Sequence, residues 1–583
     1  MLLLLIDSAL LLFITLGLGM LTLRMLERLL NCAVNANILG VFLAGLLLST
    51  IYFNILSFWW PVNFYCLLPL FILACITTYR LPCKCSQLLT SAKQQLSFIF
   101  RRRNLVFTIP VLLFLFYYWI IPPINSDSAD YHYITIAWYE KYRVIPGLAN
   151  IHGRLAFNPA SFIIQAAYSF TALTGQAIYP LNGVLTALCL LWLLKRILQT
   201  TQTITGFIYL VLFIILTRVL LLNISSPSSD TLFIVCLVYA FIKIYDGFCT
   251  RRPGLPQFIL PALLLIYSVT AKLAAFPALL VLPLLLYFLR TQKLLPVVTK
   301  ITLVSLLIYI PWLCRNIILS GYLVYPLYQL DIFNFDWETP KHVLELETGY
   351  IKTLSALFSL DIGYVQSLSF PAFLAKWFIA QFHAGRPLNF AIFIPAIISP
   401  VYWLAGLKQR RKIPVMIFAL WFIIYAAIWL WLYNSPEYRF GITFLAFAIV
   451  LPWLAMKDFL FIRQYKLVYI LSAVIILIST TLYFVDGYNK PSGYAFTLRN
   501  CWLYPLKDKQ YFTRNDTATF KYQTLANGVK VYIPDSLHAC LNAPHQPCIM
   551  IDYGAVIEAR GPKMEDGFRM VSDSIPQLFP GVK

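Results

Sequence analysis

The sequence has little charge for its length. Of its 583 residues, 12% are Asp, Glu, Lys or Arg, whereas 60% are apolar or aromatic, and the mean hydropathy is +0.75. Soluble domains usually contain about 25% charged residues. The chain therefore lacks the polar side chains needed to cover several water-soluble domains, and we expect lipid to be its main solvent.

Metal-binding spacings and acidic residues are also scarce. The twelve Cys and six His show no zinc-finger spacing. The 45 Lys and Arg exceed the 24 Asp and Glu, which gives a net charge of +21. In a soluble protein this excess could indicate nucleic-acid binding. Here the basic residues follow the membrane pattern described below, so we expect no nucleic-acid partner.

Long apolar runs dominate the sequence. Because a spanning helix needs about 20 apolar residues, they predict an all-α polytopic membrane protein with about fourteen spans. The first run is too long for a signal-peptide core and has no basic start, so it is interpreted as a true span. The predicted spans lie near 2–23, 38–58, 64–79, 104–122, 177–194, 204–222, 229–245, 257–270, 274–289, 297–314, 388–406, 413–433, 440–456 and 465–484.

The basic residues predict the orientation of these spans. Strict alternation puts the basic flanks on one face, which the positive-inside rule makes cytoplasmic. They include Arg24, Arg28, Arg80, Lys84, Arg101, Arg102, Arg103, Lys195, Arg196, Arg251, Arg252, Arg290, Lys293 and Arg410. We therefore expect a multi-pass protein of a bacterial cytoplasmic membrane, and much of the +21 charge is a topology signal.

The opposite, extracytoplasmic face receives the long loops 123–176 and 315–387 and the tail 485–583. The tail is predicted to be a small α+β domain, because Asn527-Gly528 between two β-prone runs is typical of a hairpin. A disulfide between Cys540 and Cys548 would suit this oxidising side. Cys83 and Cys85 are expected to be free cytoplasmic thiols.

The first polar cluster, Asn125–His132, directly follows the fourth span. It places the carboxylates of Asp127 and Asp130 and the imidazole of His132 within six residues. A carboxylate here could deprotonate an acceptor hydroxyl or help to hold a divalent cation. The alternative is a solvated helix start, because Asp and Ser favour N-caps. The residues alone leave both interpretations open.

A short helix is predicted behind this cluster. Tyr131, Ile134, Trp138 and Tyr142 recur at spacings of three and four, which gives one face of an interfacial amphipathic helix. Such a helix would hold Asp127 near the lipid headgroups.

The other unusual polar residues are predicted to lie on the same outer face. Asp230 could also simply cap the seventh span, and Lys272 could snorkel rather than pair with a phosphate or a distant carboxylate. Glu437 and Arg439 could form only a loop ion pair. The candidate substrate-binding residues are Tyr131, His152, Arg154, Asp230, Lys272, Arg315, Glu437 and Arg439. Together they predict one site with carboxylates on one wall and cations on another, suited to an anionic lipid-linked donor.

The stretch Asp127-Ser128-Ala129-Asp130-Tyr131, placed after a span and before an interfacial helix, resembles the first-loop acidic motif of the GT-C superfamily of integral-membrane glycosyltransferases. More closely, the chain is similar to a group of bacterial membrane proteins of unassigned function, related to the aminoarabinose and protein mannosyl transferases. The similar stretches are Asp127–His132, Pro146–Asn158, Ser226–Asp230, Pro311–Pro326 and Pro436–Gly441.

The resemblance implies sugar transfer from a polyprenyl-phosphate donor at the outer membrane face. The catalytic Asp of the superfamily maps onto Asp127, with Asp130 and His132 beside it, and Asp230 or Glu437 as candidates for a second acidic residue. It implies a GT-C-like transmembrane core over 101–484, an N-terminal three-helix addition over 1–100 and an extracytoplasmic domain over 485–583 that handles the acceptor.

We therefore expect a glycosyltransferase that moves a sugar from a polyprenyl-phosphate donor to a glycan or lipid acceptor, with membrane lipids as its surroundings. No cofactor is expected other than a divalent cation, for which Asp127 is the candidate ligand. The alternatives are a polymerase or ligase of surface-polysaccharide assembly, a transporter of lipid-linked oligosaccharides, and a non-enzymatic scaffold. A transporter is disfavoured because the polar clusters concentrate at one face and no inverted repeat is visible.

Overall fold

The architecture is that of a computed structural model, which describes most of residues 1–455 and three short segments of the tail. The description leaves out 122, 126, 176, 201–202, 251–253, 293, 358–360, 384–386 and 409–413, and in the tail it covers 520–525, 528–534 and 557–571. The predicted span 465–484, Cys540 and Cys548 lie outside the described residues.

Helices make up nearly all of the described transmembrane part. In chain order they are α1 (Leu2–Leu30), α2 (Ile38–Leu56), α3 (Leu67–Arg80), α4 (Pro82–Ile99), α5 (Leu105–Ile120), α6 (Tyr133–Lys141), α7 (Ala160–Tyr168), α8 (Thr171–Thr174), α9 (Leu181–Gln199), α10 (Thr203–Leu222), α11 (Asp230–Phe248), α12 (Ile259–Ala271), α13 (Val281–Phe288), α14 (Leu295–Ser320), α15 (Lys341–Leu357), α16 (Ile362–Ser367), α17 (Phe370–His383), α18 (Pro387–Ile397), α19 (Ser399–Lys408), α20 (Val415–Asn434) and α21 (Tyr438–Ala455).

Nine helices in the described part of the chain are long and apolar enough to cross a membrane: α1, α2, α5, α9, α10, α11, α14, α20 and α21. The chain is thus an all-α, multi-pass membrane protein, as expected. The count of fourteen spans is not confirmed. The predicted spans at 257–270 and 274–289 correspond to shorter apolar helices, and the one at 388–406 is divided between α18 and α19.

The chain bends sharply just after the third predicted span, 64–79. The helical segment Phe64–Arg80, which includes α3, makes an angle of 95° with α4. Pro82 begins α4, where its fixed φ and missing N–H suit a helix start but not the continuation of α3. The helix α4 therefore runs roughly perpendicular to α3. Lys84 at its start bonds to Glu27 near the end of α1, at 2.7 Å.

The N-terminal helices are packed into the rest of the bundle. Thr50 on α2 hydrogen-bonds to Tyr267 on α12 at 2.7 Å. The backbone N–H of Val144 donates to the carbonyl of Ser57 at 2.9 Å, just beyond α2. One hydrophobic core runs through both regions. Residues on both sides of the predicted boundary near residue 100 thus share one hydrophobic core, and the division into domains stays a prediction.

Two antiparallel hairpins occur in the described part of the tail. Strand β1 (Phe520–Thr524) pairs with β2 (Lys530–Pro534), which confirms the hairpin predicted there. Gly528 has φ of +83°, a value that favours glycine over other residues. Strand β3 (Ile557–Ala559) pairs with β4 (Phe568–Met570). This second hairpin touches the loop after α6, where the N–H of Phe568 donates to the carbonyl of Pro146 at 3.0 Å.

Candidate functional site

The first loop is fixed by Asn125, a residue of the predicted cluster that the sequence did not mark as functional. Its Nδ2 donates to Oδ1 of Asn223 at 2.8 Å, which ties the loop to the end of α10. Its Oδ1 accepts from the backbone N–H of Asp127 at 3.1 Å. That bond is an Asx-type turn, and it sets the chain direction at Asp127. An Asn two residues before an Asp is the only sequence signal for it.

Asp127 forms an ion pair with Arg439, which is 312 residues away in the chain. Nη2 of Arg439 donates to Oδ2 of Asp127 at 2.5 Å, and its Nη1 donates to Oδ1 of Asn125 at 3.2 Å. The same guanidinium lies 3.5 Å from a carboxylate oxygen of Asp230 and 3.8 Å from one of Glu437. Arg439 is therefore held among three carboxylates, and its pair with Glu437 is part of a larger network.

Asp230 and Lys272 form the second ion pair of the network. Asp230 is the first residue of α11, where no side-chain capping hydrogen bond is formed, and its carboxylate accepts from Nζ of Lys272. Lys272 lies at the break where α12 ends and a 3-10 turn begins. Its Nζ also lies 3.6 Å from the centroid of the Phe440 ring. The partner of Lys272 is thus a distant carboxylate, one of the two partners predicted for it.

We call Asp127, Asp230, Lys272, Glu437 and Arg439 the ion-pair cluster. Four of these side chains are 17–20% exposed, whereas Asp230 is 1% exposed. The cluster is therefore largely desolvated but still open to a ligand. Its three carboxylates outnumber its two cations, so the cluster as a whole has no net positive charge in this structure.

The electrostatics of Asp127 favour its ionised form. Burial raises the pKa of this carboxyl, but Arg439, and then His132 and Arg154, more than offset this effect. The net result is a pKa well below the ordinary value for Asp. The Asp127 carboxylate is therefore charged at neutral pH, and while it contacts Arg439 it is a weak base.

His132 and Tyr131 pack beside Asp127. Burial, opposed by Asp127 and reinforced by Arg439, lowers the pKa of His132 to about 3, so its imidazole is neutral at pH 7. Its ring packs edge-on against Tyr131 and Phe162, with centroids 4.5 and 5.1 Å apart. No hydrogen bond between His132 and Asp127 occurs in the described part of the chain. Burial and Asp127 also raise the pKa of Tyr131.

Two features of the first loop differ from the sequence interpretation. Ser128–His132 forms a π-helical turn before α6, and Asp130 lies in it. The role predicted for the Asp130 carboxylate stays a prediction. Ile134 and Trp138, assigned above to a lipid-facing surface, are only 3% and 1% exposed. Protein rather than lipid covers them, and Trp138 packs against Phe568 of the tail hairpin.

His152, Arg154 and Tyr131 form a second group next to the ion-pair cluster. Nε of Arg154 donates to Oε1 of Glu347 on α15 at 3.2 Å, and its guanidinium lies 5.6 Å from the centroid of the Tyr131 ring. Nδ1 of His152 accepts from the backbone N–H of Arg154 at 3.2 Å. Burial and Arg154 lower the pKa of His152 to about 3. Glu347, which the sequence did not single out, connects the long loop 315–387 to the site.

Arg315 is not part of the ion-pair cluster. Its side chain is 1% exposed, and its Nε donates to Oδ1 of Asn158 at 3.0 Å. It also donates to the hydroxyl of Ser57 and packs over the Tyr139 ring, 4.6 Å from the centroid. Arg315 thus joins α14 to α2 and α6. Of the predicted cations, Lys272 and Arg439 lie together in the ion-pair cluster, whereas Arg315 lies apart from it.

The residues do not fit a divalent cation well. Within the described ranges, no group of three or more His, Cys, Asp and Glu side chains is arranged to hold a metal ion. The carboxylates of Asp127 and Asp230 face Arg439 and Lys272 instead. We therefore derive no chemical step through a metal.

Comparison with known proteins gives one match. A family model described as a domain of unknown function (DUF8201) matches residues 1–446, which include the N-terminal helices and every member of the ion-pair cluster. No curated protein and no solved structure matches the chain.

Proposed function

Since the chain belongs to the DUF8201 family, whose function is unknown, we propose its function from its own site: it is a GT-C-like glycosyltransferase of a bacterial cytoplasmic membrane. It transfers a sugar from a polyprenyl-phosphate donor to a glycan or lipid acceptor at the outer face. The observation that carries this proposal is the convergence of Asp127, Asp230, Lys272 and Arg439 on one cluster.

The location of the cluster favours a transferase over a transporter. Asp230 begins α11, Arg439 is the second residue of α21, and Lys272 directly follows α12. All three lie at helix ends, whereas transporter sites lie near the middle of the bilayer. A lipid-linked donor presents its phosphate at the membrane surface, so a cluster at helix ends can meet it there.

Lys272 and Arg439 are the groups that bind the donor phosphate in this proposal. Both are cations held at the open side of the cluster by carboxylates. A phosphate that approaches them competes with those carboxylates for the same N–H donors. Arg439 is the better candidate for the first contact, because a guanidinium can bind two phosphate oxygens at once.

The exchange of partners at Arg439 activates Asp127. When Arg439 turns to the phosphate, Asp127 loses the contact that depresses its pKa, and its carboxylate becomes a stronger base. The acceptor hydroxyl oxygen then bonds to the anomeric carbon, and the bond from that carbon to the phosphate oxygen breaks. Its electron pair leaves with the phosphate, and the hydroxyl proton passes to Asp127. Base activation is thereby coupled to donor binding.

All donors of this class contain a polyprenyl phosphate. Its binding therefore tests the phosphate site even when the sugar is unknown. Purified full-length protein is titrated with a polyprenyl phosphate, and the complex is measured by native mass spectrometry. Arg439→Gln should weaken binding by roughly tenfold or more, because it removes a charge-assisted hydrogen bond. Arg439→Lys should retain part of the affinity.

Arg143→Gln is the matched control for this titration. Arg143 is exposed, lies just after α6 and forms no ion pair in the described part of the chain. Its loss should leave binding unchanged. If wild-type protein fails to bind polyprenyl phosphate, or if Arg143→Gln weakens binding as much as Arg439→Gln, the proposed donor site is wrong.

The role of Asp127 is tested by transfer activity with a panel of polyprenyl-phosphate sugars. Asp127→Asn should lower kcat by roughly 10²–10⁴-fold, the contribution typical of a general base. Exposed Asp331 on the outer loop supplies the control variant Asp331→Asn, which should be fully active. Unaltered activity of Asp127→Asn would remove this residue from the mechanism.

A further inference from the structure

A second polar cavity lies at the end of the bundle opposite the ion-pair cluster. Its volume is about 320 Å³, and it lies between α4, α9, α10 and the start of α2. It is lined by Asn37, Ser91, Gln95, Trp192, Lys195, Arg196, Gln199, Thr200 and Tyr209. This volume is in the range of small-molecule sites, which is about 300–1,000 Å³.

The distance between the two sites follows from α11. Asp230 of the ion-pair cluster begins this helix, and Asp246, the partner of Arg196 at the second cavity, lies near its end. Sixteen residues at about 1.5 Å each separate them by roughly 24 Å along the helix axis. The hydrocarbon core of a bilayer is about 30 Å thick, so the two sites face opposite leaflets.

The basic residues near the second cavity indicate that it lies on the cytoplasmic side of the membrane. Lys195 and Arg196 lie near the end of α9, and Arg24 and Arg28 lie near the end of α1 at the same end of the bundle, where Lys84 of α4 bonds to Glu27. Such clusters mark the cytoplasmic side. The helix α4, at 95° to the helical segment before it, lies at this end of the bundle.

One wall of the cavity holds Arg196 in a rigid position. Its Nη1 donates to Tyr209 at 2.8 Å and to Asp246 at 3.2 Å. Its guanidinium also packs over the Trp192 and Tyr209 rings, 5.0 and 5.4 Å from their centroids. Both aromatic residues are buried, at 5% and 4% exposure. Arg196 therefore presents its charge from a fixed place, so little conformational entropy is lost when a ligand binds.

The cavity has a surplus of positive charge. Asp246 neutralises Arg196, but Lys195, half-buried in the lining, forms no ion pair with any carboxylate of the described segments. Lys243, one turn before Asp246 on α11, is a second cation near the cavity but outside its lining, and its Nζ lies 6.0 Å from the centroid of the Tyr239 ring. Asn37, Ser91, Gln95 and Gln199 supply hydrogen-bonding groups on the other sides.

We propose that this cavity binds the phosphate headgroup of an anionic phospholipid from the cytoplasmic leaflet. A basic pocket between transmembrane helices on the cytoplasmic side is the arrangement that binds such headgroups. Lys195 contacts the phosphate, Arg196 fixes the wall behind it, and Ser91 and Gln95 on α4 bond to the polar headgroup. The site does not depend on the proposed activity at the outer face.

The test measures lipid retention by the purified full-length protein with native mass spectrometry. Phosphatidylglycerol is titrated in one arm, phosphatidylcholine in a second and inorganic phosphate in a third. We expect one tightly retained phosphatidylglycerol, at least about tenfold weaker retention of phosphatidylcholine, and no competition by inorganic phosphate at equal concentration. Binding of inorganic phosphate with no preference for phosphatidylglycerol would overturn the lipid assignment.

Two variants locate the lipid in this cavity. Lys195→Gln removes the unpaired charge, and Ser91→Leu fills the cavity from the α4 side without disturbing the Arg196 network. Each should weaken phosphatidylglycerol retention by roughly tenfold or more. Lys93→Gln removes one charge from the exposed side of the same helix outside this cavity and should leave retention unchanged. The proposal is overturned if both cavity variants retain the lipid like wild type, or if Lys93→Gln loses as much.

Discussion

Glu140 on α6 provides a pH-dependent contact at the scale of single residues. Burial raises the pKa of its carboxyl to about 7, although hydrogen bonds from Ser169 and Thr171 oppose the shift. Thr171 donates to its Oε1 at 3.3 Å. The protonated form is therefore favoured in the folded protein, relative to an ordinary Glu pKa of about 4.3.

The raised pKa predicts the direction of a stability change. Because the folded pKa exceeds the unfolded one, the stabilising effect of the proton is present below about pH 4.3 and is lost as the pH rises through about 7. Glu140→Gln cannot ionise and should keep this stability. Thermal unfolding should show nearly equal stability of variant and wild type near pH 4.3, and a variant more stable by about 3–4 kcal/mol near pH 8. A variant less stable than wild type at the higher pH would contradict the assignment.

The sequence singled out all five members of the ion-pair cluster, but of their pairings it predicted only that of Glu437 with Arg439. Asp127, Asp230, Lys272 and Arg439 stood out because charged residues near membrane depth are rare. Their mutual partners lie 42 to 312 residues apart, and local patterns carry no signal for such contacts. Arg315 met the same criterion, yet its guanidinium hydrogen-bonds to Asn158 and packs over the Tyr139 ring. A charged residue near membrane depth is therefore a good functional candidate, but its ion-pair or hydrogen-bond partner is known only from the fold.

At the scale of elements, the contact of α1 with α2 depends on glycines. A Cβ added to Gly45 of α2 would lie 1.9 Å from the backbone oxygen of Thr15, and one added to Gly19 of α1 would lie 1.9 Å from that of Val41. The two backbones thus approach each other directly, as is typical of membrane helices with small residues at their interface.

Gly45→Ala should therefore push the two helices apart. Backbone atoms cannot move aside as a flexible side chain can, so we expect a loss of stability of about 1–3 kcal/mol. Gly206→Ala on α10 is the matched control, because its Cβ would meet its nearest neighbour at 3.6 Å. Thermal unfolding in detergent measures both variants. Equal stability of the two variants would mean that the close approach of α1 and α2 does not contribute to the stability of the protein.

The elements show where hydropathy alone is sufficient and where it is not. Long uninterrupted apolar runs such as α1 and α11 were predicted well, because lipid forces a spanning backbone to satisfy its own hydrogen bonds. Breaks were missed where proline or a turn interrupts an apolar run. The division between α18 and α19 at Ile398 is an example, and the helix α4, which begins at Pro82 just after the predicted span 64–79, was not predicted at all. Burial of α6 was missed because an apolar helix face has the same sequence pattern whether lipid or protein covers it.

At the scale of the whole molecule, the orientation in the membrane is a prediction that thiols can test. Cys83 is exposed on α4, at the end of the bundle that carries the basic residues. A membrane-impermeant maleimide should label it in inside-out vesicles and not in right-side-out ones. Arg143→Cys, at the other end, should show the reverse pattern. Peptide mapping identifies the labelled site. Labelling of Cys83 in right-side-out vesicles would mean that the true orientation is the reverse of the predicted one.

The tail is joined to the membrane part by its second hairpin, which contacts two distant loops. Arg560 donates to both carboxylate oxygens of Asp336, at 2.7 and 3.0 Å, and packs over the Trp337 ring at 4.7 Å. Nearby, Nδ2 of Asn150 donates to the carbonyl of Phe568 at 3.2 Å. The hairpin thus holds the loop after α6 and the loop after α14 together, beside the segment that carries His152 and Arg154.

Arg560→Gln should loosen this attachment without unfolding the bundle. A bidentate Arg–carboxylate pair fixes geometry as well as charge, so its loss should raise hydrogen exchange in 557–571 and 146–150 together. Arg569→Gln is the control, because Arg569 pairs with Glu558 inside the hairpin and should affect exchange only there. If Arg560→Gln raises exchange in the hairpin but not in 146–150, the hairpin does not hold that loop. The loop would then depend for its order on Gly147, whose N–H bonds to Ile318 at the end of α14.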